Sequence, residues 1–154
     1  MIVIFETDNF TVETLAQKPH VDRNDGGHIL IIPKKPVEDL TKLNSSLAKE
    51  LTKLVMVAGE AMKEVLNQHG VDIGVINYQE NGNWSVFAPH GPHLHVHLYG
   101  RAISAKTQKY GEALYFPKPE TGFYDKNKPL TQEDISGIKK EIERLLQTEK
   151  YKSF

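Results

Sequence analysis

Apolar and polar positions alternate with a period of two in several short stretches of this chain and with a period near 3.6 in two longer ones. Ile2 to Thr7 and Phe10 to Leu15 are rich in β-branched and aromatic residues, and the intervening Asp8-Asn9 supplies turn chemistry, which predicts a hairpin. His28-Ile29-Leu30-Ile31-Ile32 is a dense apolar run stopped by Pro33, and predicts a buried strand with a histidine at its start. Val71 to Tyr78 predicts another strand, and Trp84 to Phe87 a short one beyond the turn-forming Gln79 to Asn83. The last alternating stretch, Pro92-His93-Leu94-His95-Val96-His97-Leu98-Tyr99-Gly100-Arg101, follows a chain break at Pro89-His90-Gly91-Pro92.

The helical period is clearest where Leu47, Leu51, Leu54, Ala58, Ala61, Met62 and Val65 recur at spacings of three and four. Asn44 to Ser46 offer an N-cap and Gly70 a C-terminal stop. A second helix is predicted to open at Thr131-Gln132-Glu133-Asp134 in the manner of a capping box, with Ile135, Ile138, Ile142, Leu145 and Leu146 as its apolar stripe. Between Arg101 and that helix, residues 105 to 130 carry Pro117, Pro119 and Pro129, five aromatics and no period. They are expected to wrap the domain, with Tyr110 to Tyr124 near the site. Strands, one long helix, more strands, a tail and a helix make an α+β fold with an antiparallel sheet.

Composition changes this picture by exclusion. A chain of 154 residues is one domain's length, and its net charge of −1 gives no support for nucleic-acid binding through bulk electrostatics. The absence of cysteine removes thiolate metal ligands, thiol nucleophiles and disulfides. No apolar run approaches a membrane span, and Met1 to Thr7 lacks the basic segment of a signal peptide, so a cytoplasmic protein without membrane partners is expected.

Three of the seven histidines fall at His93, His95 and His97. On a strand all three imidazoles share one face, about 7 Å apart at twice the rise per residue, with Leu94, Val96 and Leu98 on the other. Three chemistries fit. As metal ligands they suffer from spacing, since the outer pair would be roughly 13 to 14 Å apart along the strand. No Asp or Glu lies between Trp84 and Arg101 to assist. As a catalytic group, a histidine can attack phosphorus while its neighbours hold the phosphate oxygens and the leaving group; His95, flanked on both sides, is then the natural nucleophile. As structure, the row is simply a solvated strand face. His28, taken alone, reads more readily as a hydrogen-bonded structural residue.

His93-Leu94-His95-Val96-His97-Leu98-Tyr99 resembles the His-φ-His-φ-His-φ-φ signature of the histidine triad (HIT) superfamily of nucleotide hydrolases and transferases. Gly27-His28-Ile29-Leu30-Ile31-Ile32-Pro33-Lys34-Lys35 is similar to that family's upstream Gly-His-φ-φ-φ-φ-Pro-Lys stretch, and Ile4-Phe5-Glu6 and Ile76-Asn77 to two of its strands. The likeness covers residues 2 to 101. It implies a HIT-like sheet of about five antiparallel strands with one long helix and a C-terminal helix. Residues 1–104 would be the catalytic domain and 105–154 an extension packed on it. The resemblance assigns His95 as the nucleophile that becomes nucleotidylated, His93 and His97 as its flanking partners, His28 as a fourth catalytic histidine and Asn77 as a phosphate contact. Pro89-His90-Gly91-Pro92 replaces the family's Gly-Gln-Ser, so His90 or Ser85 is expected to take that phosphate contact. Glu13 or Thr14 would grip the ribose, with Leu15 at the aligned position.

The function implied is hydrolysis at the α-phosphate of a nucleoside phosphate derivative, a dinucleoside polyphosphate or a nucleoside phosphoramidate. It would proceed through a nucleotidyl-histidine, without a protein-bound metal or cofactor, although Mg²⁺ can accompany a polyphosphate substrate. A homodimer is implied as well. The readings from other classes are a nucleotide-binding scaffold with little turnover and a histidine-ligated metalloenzyme.

Overall fold

The hairpin expected at the start of the chain forms from β1 (Ile2–Glu6) and β2 (Phe10–Thr14), antiparallel, with Thr7 N–H closing the turn on the Phe10 carbonyl. The structure, a computed structural model, describes residues 1–89 and 91–154. The remaining strands are β3 (His28–Pro33), β4 (Ile73–Glu80) and β5 (Val96–Ala102). They join into one five-stranded antiparallel sheet in the order β1-β2-β3-β5-β4. The triad-bearing strand is therefore interior, between His28's strand and Asn77's.

One face of this sheet is covered by α1 (Ser45–Gln68). Asn44 accepts a hydrogen bond from Leu47 N–H, which caps the start of the helix. At the other end Gly70 adopts φ +84°, the left-handed conformation that stops a helix at low cost for glycine. The apolar stripe of α1 meets Ile29, Ile31, Leu94 and Leu98, and α2 (Gln132–Leu145) adds Ile135, Ile138, Ile142 and Leu145 to the same core. The Thr131–Asp134 capping box is formed. A short α3 (Glu149–Lys152) follows, which the pattern did not announce. No helix among the described residues is long and apolar enough to cross a membrane.

Two expectations are corrected. Residues 84–87 are not a strand: Gly82–Ser85 is a 3-10 turn, with Trp84 N–H on the Asn81 carbonyl and Ser85 Oγ on the Gly82 carbonyl. Both edges of β5 are already taken by β3 and β4, so this segment satisfies its backbone locally instead. Nor does the histidine strand begin at His93. The ladder starts at Val96, and His93 and His95 approach it as chain outside the sheet, with Leu94 N–H tied to the Val37 carbonyl.

The loop between β2 and β3 and the tail after β5 are cross-pinned. Asp25 accepts backbone N–H bonds from Lys106, Thr107 and Gln108, while buried Arg101 donates to the carbonyls of Lys109 (2.7 Å) and Glu112 (2.9 Å). Gly26, at φ +130°, crosses the backbone of Gly100 so closely that a Cβ on either would overlap the other's main chain. Only glycine permits that crossing, and it fixes the loop over the sheet.

Candidate active site

Register decides which side chains meet. His28 pairs with Tyr99 and Leu30 with His97 across β3 and β5; Asn77 pairs with Tyr99 and Gln79 with His97 across β4 and β5. Directly paired residues of an antiparallel ladder share a face. His28, His97, Tyr99, Asn77 and Gln79 therefore stand together on the side of the sheet opposite α1. Glu13, paired with Leu30, is on that face too, whereas Thr14 is buried on the other and gives its hydroxyl to the His28 carbonyl at 2.9 Å.

Although only His97 lies within the ladder, the three imidazoles line up. Ring centroids are 4.8 Å apart for His93 and His95 and 4.6 Å for His95 and His97. His95 Nδ1 is 2.9 Å from the His93 carbonyl oxygen. A carbonyl only accepts, so in the neutral ring Nδ1 holds the proton and Nε2 carries the lone pair. The backbone of one triad member thus sets the tautomer of the next, leaving the nitrogen that a nucleophile needs unprotonated.

His28 and His97 are tied to each other, Nε2 to Nδ1, at 2.9 Å, and are 1% and 3% exposed. Burial, reinforced by the charges of neighbouring histidines, pushes His28 well below the ordinary histidine value and His97 down to about 3. Both rings are neutral at pH 7 and share one proton along their bond. The far nitrogen of His97, Nε2, is buried with no partner among the described residues. A buried polar atom left in that state is costly unless a bound group satisfies it.

His20 is a site residue that sequence reasoning missed. It sits half-buried in the polar loop before β3, with Nδ1 3.0 Å from the Tyr99 hydroxyl and its ring stacked on His28 at 4.9 Å. Its ring also lies 5.7 Å from His97 and from Trp84. Burial, then the nearby His95, lowers its pKa. No local pattern marks it; long-range bonds from Asn127 to the Pro19 carbonyl (2.8 Å) and from Gln108 to the His20 carbonyl hold it in place. Ring nitrogens of His20, His28 and His97 fall within 4.8 Å of one another, a grouping that could hold a metal ion if the rings drew inward to bonds of about 2 Å.

The remaining expected residues line other parts of the surface, Asn77 included although it shares the histidines' face of the sheet. Asn77 lines a cleft of about 290 Å³ with Arg101, Tyr110 and Glu112, while Gln79, directly across from His97, has its side-chain oxygen buried without a partner among the described residues. Ser85 belongs to the 3-10 turn beside Trp84, whose ring is 6.1 Å from His97. His90 lies outside the described residues.

A family model for the HIT domain matches residues 3–103. An uncharacterized HIT-like protein from Chlamydia muridarum is 34% identical over 105 residues, which span 65% of this chain and 71% of that relative. Among solved structures, a histidine triad protein from Bradyrhizobium japonicum superposes with a TM-score of 0.61 at 19% identity, over 92% of this chain and 90% of the other. A hypothetical histidine triad nucleotide-binding protein from Sulfolobus tokodaii does so at 0.58 and 21% identity, over 94% and 85%.

Proposed function

The chain belongs to the histidine triad (HIT) family, and from that premise we propose that it is a nucleotide hydrolase acting at the α-phosphate of a dinucleoside polyphosphate or a nucleoside phosphoramidate. The observation that carries this reading is the bond from His95 Nδ1 to the His93 carbonyl, which presents Nε2 as a lone-pair nitrogen. In the first step that lone pair attacks the α-phosphorus, a P–N bond forms, and the bond from phosphorus to the leaving group breaks. The leaving group takes a proton from the His93 ring as it departs, and the water that attacks in the second step returns that proton. Water then attacks the nucleotidyl-histidine, the P–N bond breaks, and the nucleoside monophosphate leaves with His95 restored.

His97 supports the same step. With Nδ1 committed to His28, its buried Nε2 finds a partner when a phosphate oxygen arrives, provided Nε2 carries the proton. His93 orients His95 through its carbonyl, and its own ring, stacked on His95 at 4.8 Å, hands the leaving group its proton, while His28 orients His97. Gln79 is better placed than Asn77 to meet a phosphate held at His97, and Ser85 or His90 would complete that shell. Residues 1–104 carry the reaction and 105–154 serve it as an extension. The reading includes a homodimer working in the cytoplasm. The test is a rapid acid-free quench of wild-type protein mixed with adenosine phosphoramidate: a covalent nucleotide on His95, labile in acid, is expected. Turnover without any adduct, or an active His95→Ala variant, would falsify the assignment.

A second reading is a histidine-ligated metalloprotein, favoured by the grouping of His20, His28 and His97 found among the described residues. It predicts zinc retained through dialysis, loss of activity with chelator, and comparable losses on replacing His20, His28 or His97. The nucleophile reading predicts none of these.

A further inference from the structure

We propose that Trp84 and the tail residues Phe116 and Tyr124 form an aromatic clamp that holds the nucleobase of the substrate, an inference that rests on the nucleotide reading above. A cavity of about 460 Å³ opens beside the triad, lined by His20, Trp84, Phe116, Pro117, Pro119 and Tyr124, with Lys118 adding a positive charge. That volume is within the range of about 300–1,000 Å³ for small-ligand sites. Two of its walls are shared with the catalytic face: His20 and Trp84 lie 5.7 and 6.1 Å from the His97 ring. A group reaching from a phosphate at His97 therefore has this cavity within reach.

The lining suits a flat aromatic ring. Trp84 and Phe116 meet edge to face at 5.2 Å and 70°, and Trp84 is still 48% exposed, so one of its surfaces remains open for stacking. The cavity is also preformed. Gln108, 2% exposed, donates to the Tyr115 carbonyl at 2.8 Å and accepts from Tyr115 N–H at 3.0 Å; the Tyr124 hydroxyl donates to the Pro117 carbonyl at 2.9 Å. A wall held by such bonds costs little to organise when a ligand arrives. Phe116 and Tyr124 lie beyond residues 3–103, the segment matched by the family model, so two of the clamp's three rings come from the tail.

Trp84 is the only tryptophan in the sequence, which makes its fluorescence a direct reporter of the clamp. The experiment titrates the full-length protein with AMP and with ribose 5-phosphate, following fluorescence and heat together. AMP is expected to quench Trp84, and ribose 5-phosphate to leave it unchanged. Phe116→Ala should weaken AMP binding roughly ten- to a hundredfold, the loss of about one base–aromatic stack, without altering the ribose 5-phosphate affinity. Phe116→Leu, which keeps apolar bulk, should show most of the same loss and guards against a folding defect in the alanine variant. AMP binding with unchanged fluorescence and an unchanged Phe116→Leu affinity overturns the clamp while the hydrolase reading stands. Quenching by AMP with no adduct on His95 supports the clamp and removes the hydrolase reading. An absence of any AMP binding overturns both.

Discussion

Two neutral imidazoles buried side by side make the site sensitive to acid. His28 and His97 are held far below the ordinary histidine value by burial, His97 at about 3, whereas in the unfolded chain they titrate near 6.5. Between those values the unfolded state binds more protons, so stability falls as the pH drops through the window from about 6.5 towards 3. Each such histidine contributes at most about 1.4 kcal/mol per pH unit. Urea denaturation between pH 7.5 and 4.5 should show this decline, and His97→Gln should make it shallower; an unchanged slope would remove His97 as the cause. On activity, His95→Ala should lose nearly all turnover while still binding nucleotide. His93→Ala and His97→Ala should be slowed by factors on the order of 10²–10⁴, as expected for positioned proton transfer. His28→Ala should be milder, because it touches the reaction only through His97. Single-turnover rates of the four variants decide the ranking, and comparable losses at His28 and His97 with His95→Ala spared would argue for a metal-bound cluster.

At the scale of elements, one carboxylate joins three parts of the fold. Asp134, fully buried near the start of α2, accepts from Arg23 Nε and Nη2 at 2.9 Å, from His69 Nδ1 at 2.8 Å and from Thr131 N–H at 2.9 Å. Burial alone would push its pKa up, but the hydrogen bonds from Arg23 and His69 carry it far below the usual carboxylate range. Asp134→Asn leaves the Arg23 guanidinium without its counter-charge, and about 3–5 kcal/mol of stability should be lost in chemical denaturation. A loss no larger than that of a surface substitution would show the linkage to be incidental. The capping box that announced α2 was readable from Thr131 and Asp134 because it is local; the bond to Arg23, 111 residues away, was not. The same division runs through the site. Period-two alternation placed His28 and His97 on strands, and the family resemblance supplied their candidate roles. His20 went unread because its position depends on Gln108 and Asn127. The sequence pattern reads Gln79 as a turn residue because it precedes Asn81-Gly82, yet β4 runs on to Glu80 and sets it opposite His97. Trp84 looked like a strand because its residue type favours one, but no edge of β5 was free to receive it.

For the molecule as a whole, the sheet divides the labour between its faces: α1 and α2 seal one, and the site with its loop and tail occupies the other. The order β1-β2-β3-β5-β4 also leaves β4 at an edge, and an edge with exposed apolar side chains is a template for association. Val75 and Tyr78 on β4 and Met56 on α1 are all exposed, around a cleft of about 390 Å³ that includes Glu60, Lys63 and Lys150. Gly59 lets the Tyr78 ring lie against α1, since a Cβ there would strike its hydroxyl, so helix and strand present one continuous surface. A second copy of the chain is the occupant that the dimer proposal assigns to it. Association at micromolar concentration requires about −8 kcal/mol. Light scattering should report twice the 17.4 kDa of the single chain. Val75→Lys, which sets like charges against each other across a two-fold contact, should return the protein to that single mass with its fold intact. A wild-type monomer at micromolar concentration removes the proposal, and a Val75→Lys variant that stays dimeric moves the interface away from β4.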